Sequence, residues 1–432
     1  MDTLLTTCKH VCNKEMSLTD LARRFERVAA LASTGGRTLL GLDTNPVPAE
    51  WTHITKVDPE REKQLPLLFP AYLAHSSAVS VGGSRDVTDQ NTAETFELVT
   101  QTETPAFHEP SEADHVTGET RDQADFLAVP EVLNGDTEAL IGTLGRGLEY
   151  VRTNLGPSMV EQKTGLPLND FFGNRLSDLA AGYLMEEAVF EAYIIMNLDS
   201  AAAREANVTE DDLLSPQQAK ERALAAEHHL ESEVIYLEYS GTFGGDEAVD
   251  ILEAVGEGVS WSHIWYGGGL DNRENAEKVL DAGADAVVVG DVFHRVADVE
   301  ADLIEQAREE FDAETDHETI REWVTDTIDV ADSDAGRYLS TIPSVSDPHE
   351  QASKYLATAV EVALAIDEIA GELDDPDASD IESAVADASL PGTDTGGSTG
   401  TAAVRTVARA VLAARFGVDS EDRTLAHHIA VE

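Results

Sequence analysis

The sequence is poor in what a secreted or membrane-embedded protein needs. Only two of its 432 residues are cysteine, Cys8 and Cys12. Two thiols so close together staple no fold, so a disulfide scaffold is excluded. His10 lies between them, but no second cysteine pair completes a four-ligand zinc site, and an exposed terminus carrying two thiols is the expectation. No apolar run reaches the roughly 18 residues that span a bilayer. The N-terminal stretch lacks the apolar centre and cleavage site of a secretory signal, so a cytoplasmic location is expected.

Positive charge is also scarce. The chain has 29 Lys and Arg against 83 Asp and Glu, a net charge of −54. Such a chain repels a bare phosphate backbone, which excludes nonspecific nucleic-acid binding. It also has no polybasic patch for an anionic membrane. Only eight of the basic residues are Lys. Abundant carboxylates and few lysines suit a solvent of molar salt, where the screening length falls to about 3 Å. Unfolding on dialysis into dilute buffer is the expected consequence.

What the chain does have is enough apolar material, 42%, to build a large core. Ser17 is a plausible cap for an amphipathic helix in which Leu18, Leu21, Phe25 and Val28 recur at helical spacing, ended by Gly35-Gly36. Eight short apolar runs follow: His53–Val57, Ala78–Val81, Thr104–Phe107, Phe126–Val129, Tyr193–Met196, Val234–Glu238, His263–Tyr266 and Ala286–Val289. Polar loops and helical stretches such as Arg273–Ala282 separate them. Eight strands with crossovers predict a parallel sheet closed into a (β/α)8 TIM barrel, of the α/β class, rather than an open doubly wound sheet. The connection from Asn134 to Glu191 is too long for a simple crossover, and Leu176–Phe190 reads as helical. From about residue 311 the strand pattern stops. Glu350–Leu373 and Ala402–Phe416 read as helices, and Pro391–Thr401 as a flexible linker by composition. The expected organisation is a helical extension over 1–37, a barrel over 38–310 with a helical insertion at about 135–190, and a mainly helical region over 311–432.

In such a barrel the active site lies at the carboxyl ends of the strands. After the first run comes K-V-D-P, where period-two alternation sets Lys56 and Asp58 on one face. Asp58 is a hard-oxygen candidate for Mg²⁺. After the second comes Gly82-Gly83-Ser84, where a hydroxyl can reach a metal or an anion. After the sixth comes Y-L-E-Y-S-G, with Tyr236 and Glu238 on one face and Glu238 a candidate base for a substrate hydroxyl. After the seventh comes Y-G-G-G, and after the eighth V-G-D, each leading into a helix. Backbone amides at two helix starts hold a phosphate without Lys or Arg, which reconciles an anionic ligand with a charge of −54.

In this order, these five motifs resemble those of the geranylgeranylglyceryl and heptaprenylglyceryl phosphate synthase family. The resemblance covers roughly residues 50–300 and is most specific in Y-L-E-Y-S-G. It implies a TIM-barrel prenyltransferase that joins sn-glycerol 1-phosphate to a polyprenyl diphosphate with Mg²⁺, releasing diphosphate and making the first ether bond of archaeal lipids. It implies Asp58 and Ser84 as metal ligands. Lys56, Tyr236, Leu237, Glu238, Tyr239, Ser240 and Gly241 would hold the glycerol phosphate. Gly268, Gly269, Gly290 and Asp291 would take the phosphate through their amides, with Glu238 and Lys56 as catalytic groups. Asp291 stands where the family commonly has Asn or Thr. A homo-oligomer, and transient membrane contact for the prenyl product, are expected. Another class stays open: a phosphate-binding barrel that acts as a scaffold without turnover.

Overall fold

The computed structural model describes residues 44–60, 64–83, 87–156, 170–391 and 397–418. The chain divides into Met1–Pro46 and Val47–Glu432. Of the first unit only 44–46 are described, a short irregular piece. The helix expected from Ser17, and Cys8, His10 and Cys12, lie outside the described residues. Everything below concerns the second unit.

Eight parallel strands close into a barrel in sequential order. They are β1 (His53–Val57), β2 (Ala78–Val81), β3 (Ala106–His108), β4 (Leu127–Val132), β5 (Ala188–Ile195), β6 (Val234–Glu238), β7 (His263–Gly267) and β8 (Ala286–Val289). Closure is made by pairing Ile54 with Val288 and Thr55 with Val289. Four strands have the expected ends, and the other four differ. β3 starts two residues late, after Thr104, whose hydroxyl donates to the Leu73 carbonyl at 2.9 Å, and Pro105, which has no amide N–H to give the ladder. β5 starts at Ala188, within the stretch that reads as helical, because Ala188, Val189 and Phe190 find ladder partners in Leu127, Ala128 and Val129 of β4. Ala-Val-Phe suits either period, so the neighbouring strand decides. The helix before it covers Asp170–Glu187.

Alternation along the strands builds two cores. Ile54, Phe107, Val189, Tyr236, Trp265 and Val288 fill the barrel from inside. The outward residues, among them Val57, Val79, Ile194 and Leu237, join the surrounding helices in a second, continuous core. That outer core also contains the C-terminal helices. The reason lies between β1 and β2, where the only described helix is the five-residue Phe69–Leu73. It is too short to cover two strands, and helices Asp334–Ser340 and Pro348–Glu372 fill the space. Tyr338 Oη lies 2.7 Å from Thr55 Oγ1, and Thr341 Oγ1 3.0 Å from His53 Nε2. Two polar side chains on the outer face of β1 thereby find buried partners. Tyr72 meets Phe293, Tyr338 and Tyr355 edge-on. The region after Glu310 thus packs as part of the barrel's helical layer. The stretch that reads as a linker is helical from Gly397, in a helix running to Phe416. Ala403, Val404, Val407 and Ala408 of this helix are buried, and that apolar stripe holds it on the core. Residues 392–396 lie outside the described residues.

Candidate active site

Lys56 and Glu109 form the centre of the site. β1 points Lys56 into the barrel, and its Nζ donates to both carboxylate oxygens of Glu109, at 2.9 and 3.1 Å. Glu109 follows β3 on the inward face set by Phe107. Tyr193 Oη donates to it at 2.6 Å and Ser80 Oγ at 2.8 Å. Burial alone would raise the Glu109 carboxyl, but the Lys56 ammonium and these donors outweigh it and hold the group below its ordinary range. Lys56 is held protonated. Burial opposes its charge, while Glu109 first, then Asp58 and Glu238, favour it more strongly. Lys56 is therefore a fixed cation rather than a proton acceptor.

Glu238 ends β6, only 3% exposed. Its Oε1 accepts from the Ser240 amide at 2.9 Å. Burial raises its pKa, partly offset by Ser240 and Lys56. Tyr236, one turn of the pleat below, stacks on Tyr193 with ring centres 4.4 Å apart. Leu237 and Tyr239 point the other way, into the outer core. Tyr239 Oη donates to Glu247 at 3.1 Å. Of the Y-L-E-Y stretch, then, only Tyr236 and Glu238 present side chains to the interior. Gly241 carries the turn that follows at φ +83°.

The glycines after β7 have a packing reason. Gly268 and Gly269 adopt φ of +147° and +56°. A Cβ on Gly268 would overlap Tyr239, and one on Gly269 would overlap Thr242 and Phe243. The β7 loop is thus pressed backbone to backbone against the β6 loop. Gly290 ends β8 and caps the helix Asp291–Glu310, and a Cβ on it would lie 3.4 Å from the Lys56 side chain. The amides of Phe293 and His294 return to the Gly290 carbonyl. The earliest amides of the helix are left to face outward from its start, as helix geometry requires. The Asp291 side chain is exposed to solvent.

Asp58 lies just past β1. Its amide donates to His294 Nε2 at 3.2 Å. The β2 loop abuts its carboxylate, since a Cβ on Gly83 would come within 2.9 Å of Oδ1. Ser84 lies outside the described residues. The structure therefore gathers Lys56, Asp58, Glu238 and Gly290 at the carboxyl ends of the strands and adds Glu109, Tyr193 and Ser80. Period-two alternation from Phe107 could have found Glu109, but ending β3 at Phe107 left it in a loop. Tyr193 stood at the edge of an apolar run that began too late. Glu191, also missed, is fully buried with neither carboxylate oxygen hydrogen-bonded. Burial first, then the Glu109 charge, drives its pKa well upward.

A closed parallel barrel with its polar groups gathered at the carboxyl ends of the strands defines a (β/α)8-barrel enzyme. The chain belongs to the PcrB family, whose model matches residues 48–308. It is similar to the geranylgeranylglyceryl phosphate synthase of Methanocella arvoryzae, 27% identical over 251 residues, covering 58% of this chain and 93% of that protein. The geranylgeranylglyceryl phosphate synthase of Halobacterium salinarum is 32% identical over 248 residues, 57% of this chain and 89% of that one. Among solved structures, (S)-3-O-geranylgeranylglyceryl phosphate synthase from Thermoplasma acidophilum in complex with sn-glycerol-1-phosphate aligns at 19% identity and a TM-score of 0.40. That match covers 57% of this chain and 87% of the other. With that family membership, the chain is an enzyme of the prenyl-transferring class. Among the described residues, no helix is long and apolar enough to cross a membrane.

Proposed function

We propose that this enzyme joins sn-glycerol 1-phosphate to a polyprenyl diphosphate such as geranylgeranyl diphosphate. The glycerol hydroxyl oxygen bonds to carbon 1 of the prenyl chain, the bond from that carbon to the diphosphate breaks, and diphosphate leaves. The observation that carries the reading is Lys56, held inside the barrel mouth by both carboxylate oxygens of Glu109 and lying beside the helix start at Gly290.

Each group has a job that its surroundings support. Lys56, locked by Glu109, offers a permanent positive charge to the glycerol phosphate. The amide-lined starts after β7 and β8 add donors for the phosphate without a further cation. Glu238 accepts the proton that the glycerol hydroxyl gives up. Its burial suits the task, because a carboxylate with a raised pKa is a better base. The inward Tyr236–Tyr193 pair walls this side of the barrel.

The residues fit Mg²⁺. The Asp58 carboxylate is a hard oxygen donor, its side chain is 37% exposed, and no Lys or Arg among the described residues forms an ion pair with it. Asp58 would hold the ion, with Ser84 as the second protein ligand. When bound, it would neutralise charge on the departing diphosphate.

The test is a molar-salt incubation of the full chain with sn-glycerol 1-phosphate, labelled geranylgeranyl diphosphate and Mg²⁺. Label extractable into organic solvent is the expected result. Folded protein that transfers no label to any phosphorylated acceptor, yet melts higher with glycerol phosphate, would establish a binding barrel instead.

A further inference from the structure

The loop that carries Asp58 is held from one side by one helix, Asp291–Glu310, whose start carries the Gly290 turn. His294, in the first full turn of that helix and 9% exposed, makes two hydrogen bonds to the loop. Its Nε2 lies 3.2 Å from the Asp58 amide nitrogen and its Nδ1 2.9 Å from the Gln64 carbonyl. An amide can only donate and a carbonyl can only accept. In these two bonds the ring accepts at Nε2 and donates from Nδ1. The same nitrogen lies 3.9 Å from Asp58 Oδ2, so the ring also flanks the carboxylate. Further along the helix, Glu300 Oε2 accepts from the Leu67 amide at 2.6 Å. The loop is thus tied to the helix at three backbone points.

We propose that His294 is a positioning residue. It sets the direction of the Asp58 carboxylate by holding the backbone of that loop against the helix Asp291–Glu310. The proposal rests on the reading of Asp58 as a ligand for a divalent cation. None of the motifs legible in the sequence includes His294, and it reaches no reacting atom itself. Its effect is exerted through the backbone of Asp58. A glutamine side chain also carries one acceptor and one donor, so it can replace the ring, whereas phenylalanine keeps the bulk and loses both bonds.

The experiment uses the full chain at molar salt with Mn²⁺ as the probe, in the presence of inorganic diphosphate, read by electron paramagnetic resonance. H294F should weaken Mn²⁺ binding about tenfold to a hundredfold, the usual effect of removing a group that orients a metal ligand. H294Q should stay within about threefold of wild type on the same scale. Binding of sn-glycerol 1-phosphate, measured by calorimetry, should change less than about twofold in both, because the Gly290 turn is untouched. Without metal, hydrogen exchange at the Asp58 amide should speed up in H294F and stay slow in H294Q. If packing rejects phenylalanine, H294L makes the same comparison. Unchanged Mn²⁺ affinity in folded H294F overturns the proposal. An equal loss of both ligands with a lower melting temperature also overturns it, because that is the mark of a framework residue. If wild type itself binds no Mn²⁺ with diphosphate, the metal reading of Asp58 fails and the positioning role falls with it.

Discussion

Glu109 grips Lys56 with both carboxylate oxygens, at 2.9 and 3.1 Å, inside the mouth of the barrel. One of the chain's eight lysines is thereby spent on a position where water is scarce. Its carboxylate partner is itself held by Tyr193 and Ser80. The arrangement makes the cation permanent and keeps it in one place.

Removing one member of this pair should harm more than removing both. Glu109→Ala leaves a mostly buried ammonium without its partner, with an expected loss of about 2–4 kcal/mol of stability. That is slightly below the range for fully buried pairs, because the Lys56 side chain is 28% exposed. The double variant K56M/E109Q should be more stable than E109A, though inactive. Guanidinium unfolding at constant high salt reads this directly, and additive losses would count against a coupled pair.

Glu238→Gln should fold like wild type and lose about a hundredfold or more in kcat, the usual contribution of a positioned base. Burial raises the Glu238 pKa, so the carboxylate is lost as pH falls through a value above 4.5. In wild type, kcat/KM should therefore fall on the acid side, starting above the ordinary carboxylate range. The variant should lack that limb. A limb that persists in Glu238→Gln assigns the base elsewhere.

Glu300 supplies a pH test of stability. Burial pushes its pKa from 4.5 up to about 8. The folded state therefore binds more protons than the unfolded chain between these values, and stability must fall as pH rises through them. The gap corresponds to at most about 5 kcal/mol. Glu300→Gln keeps an oxygen for the Leu67 amide and cannot ionise. Its melting temperature should be flat from pH 6 to 9, where that of wild type declines. Parallel curves for the two proteins would show that Glu300 does not ionise over this range.

A chain stopped after Glu310 should not form a soluble barrel. It would lose Tyr338, Leu339, Tyr355 and Leu356, all buried. At about 1.5–3 kcal/mol for each buried side chain, these four alone contribute roughly 6–12 kcal/mol. That is comparable with the whole stability of an ordinary domain, about 5–15 kcal/mol. The truncation would also expose His53 and Thr55. Expression in inclusion bodies, or soluble protein without a near-ultraviolet circular dichroism signal, is the expected outcome.

The amino-acid sequence by itself determined the barrel and much of its mouth. Period-two alternation is a local property, so Lys56 with Asp58, and Tyr236 with Glu238, could be assigned to one face without knowing what lay opposite. Glycine turns before helix starts are local as well. The tertiary structure decided what depends on neighbours. Ala188–Phe190 became strand because β4 offered partners. Gly268 and Gly269 proved necessary because the β6 loop presses on them. Glu109 emerged as the partner of Lys56 across 53 residues of chain, and His294 as a support of Asp58 across 236. Hydrogen bonds at such separations leave no periodic trace in a sequence. The C-terminal helices carry the same lesson. Their apolar stripes were legible, but the surface they cover was not. That surface lies on the outer face of β1, which the five-residue Phe69–Leu73, the one described helix between β1 and β2, is too short to cover.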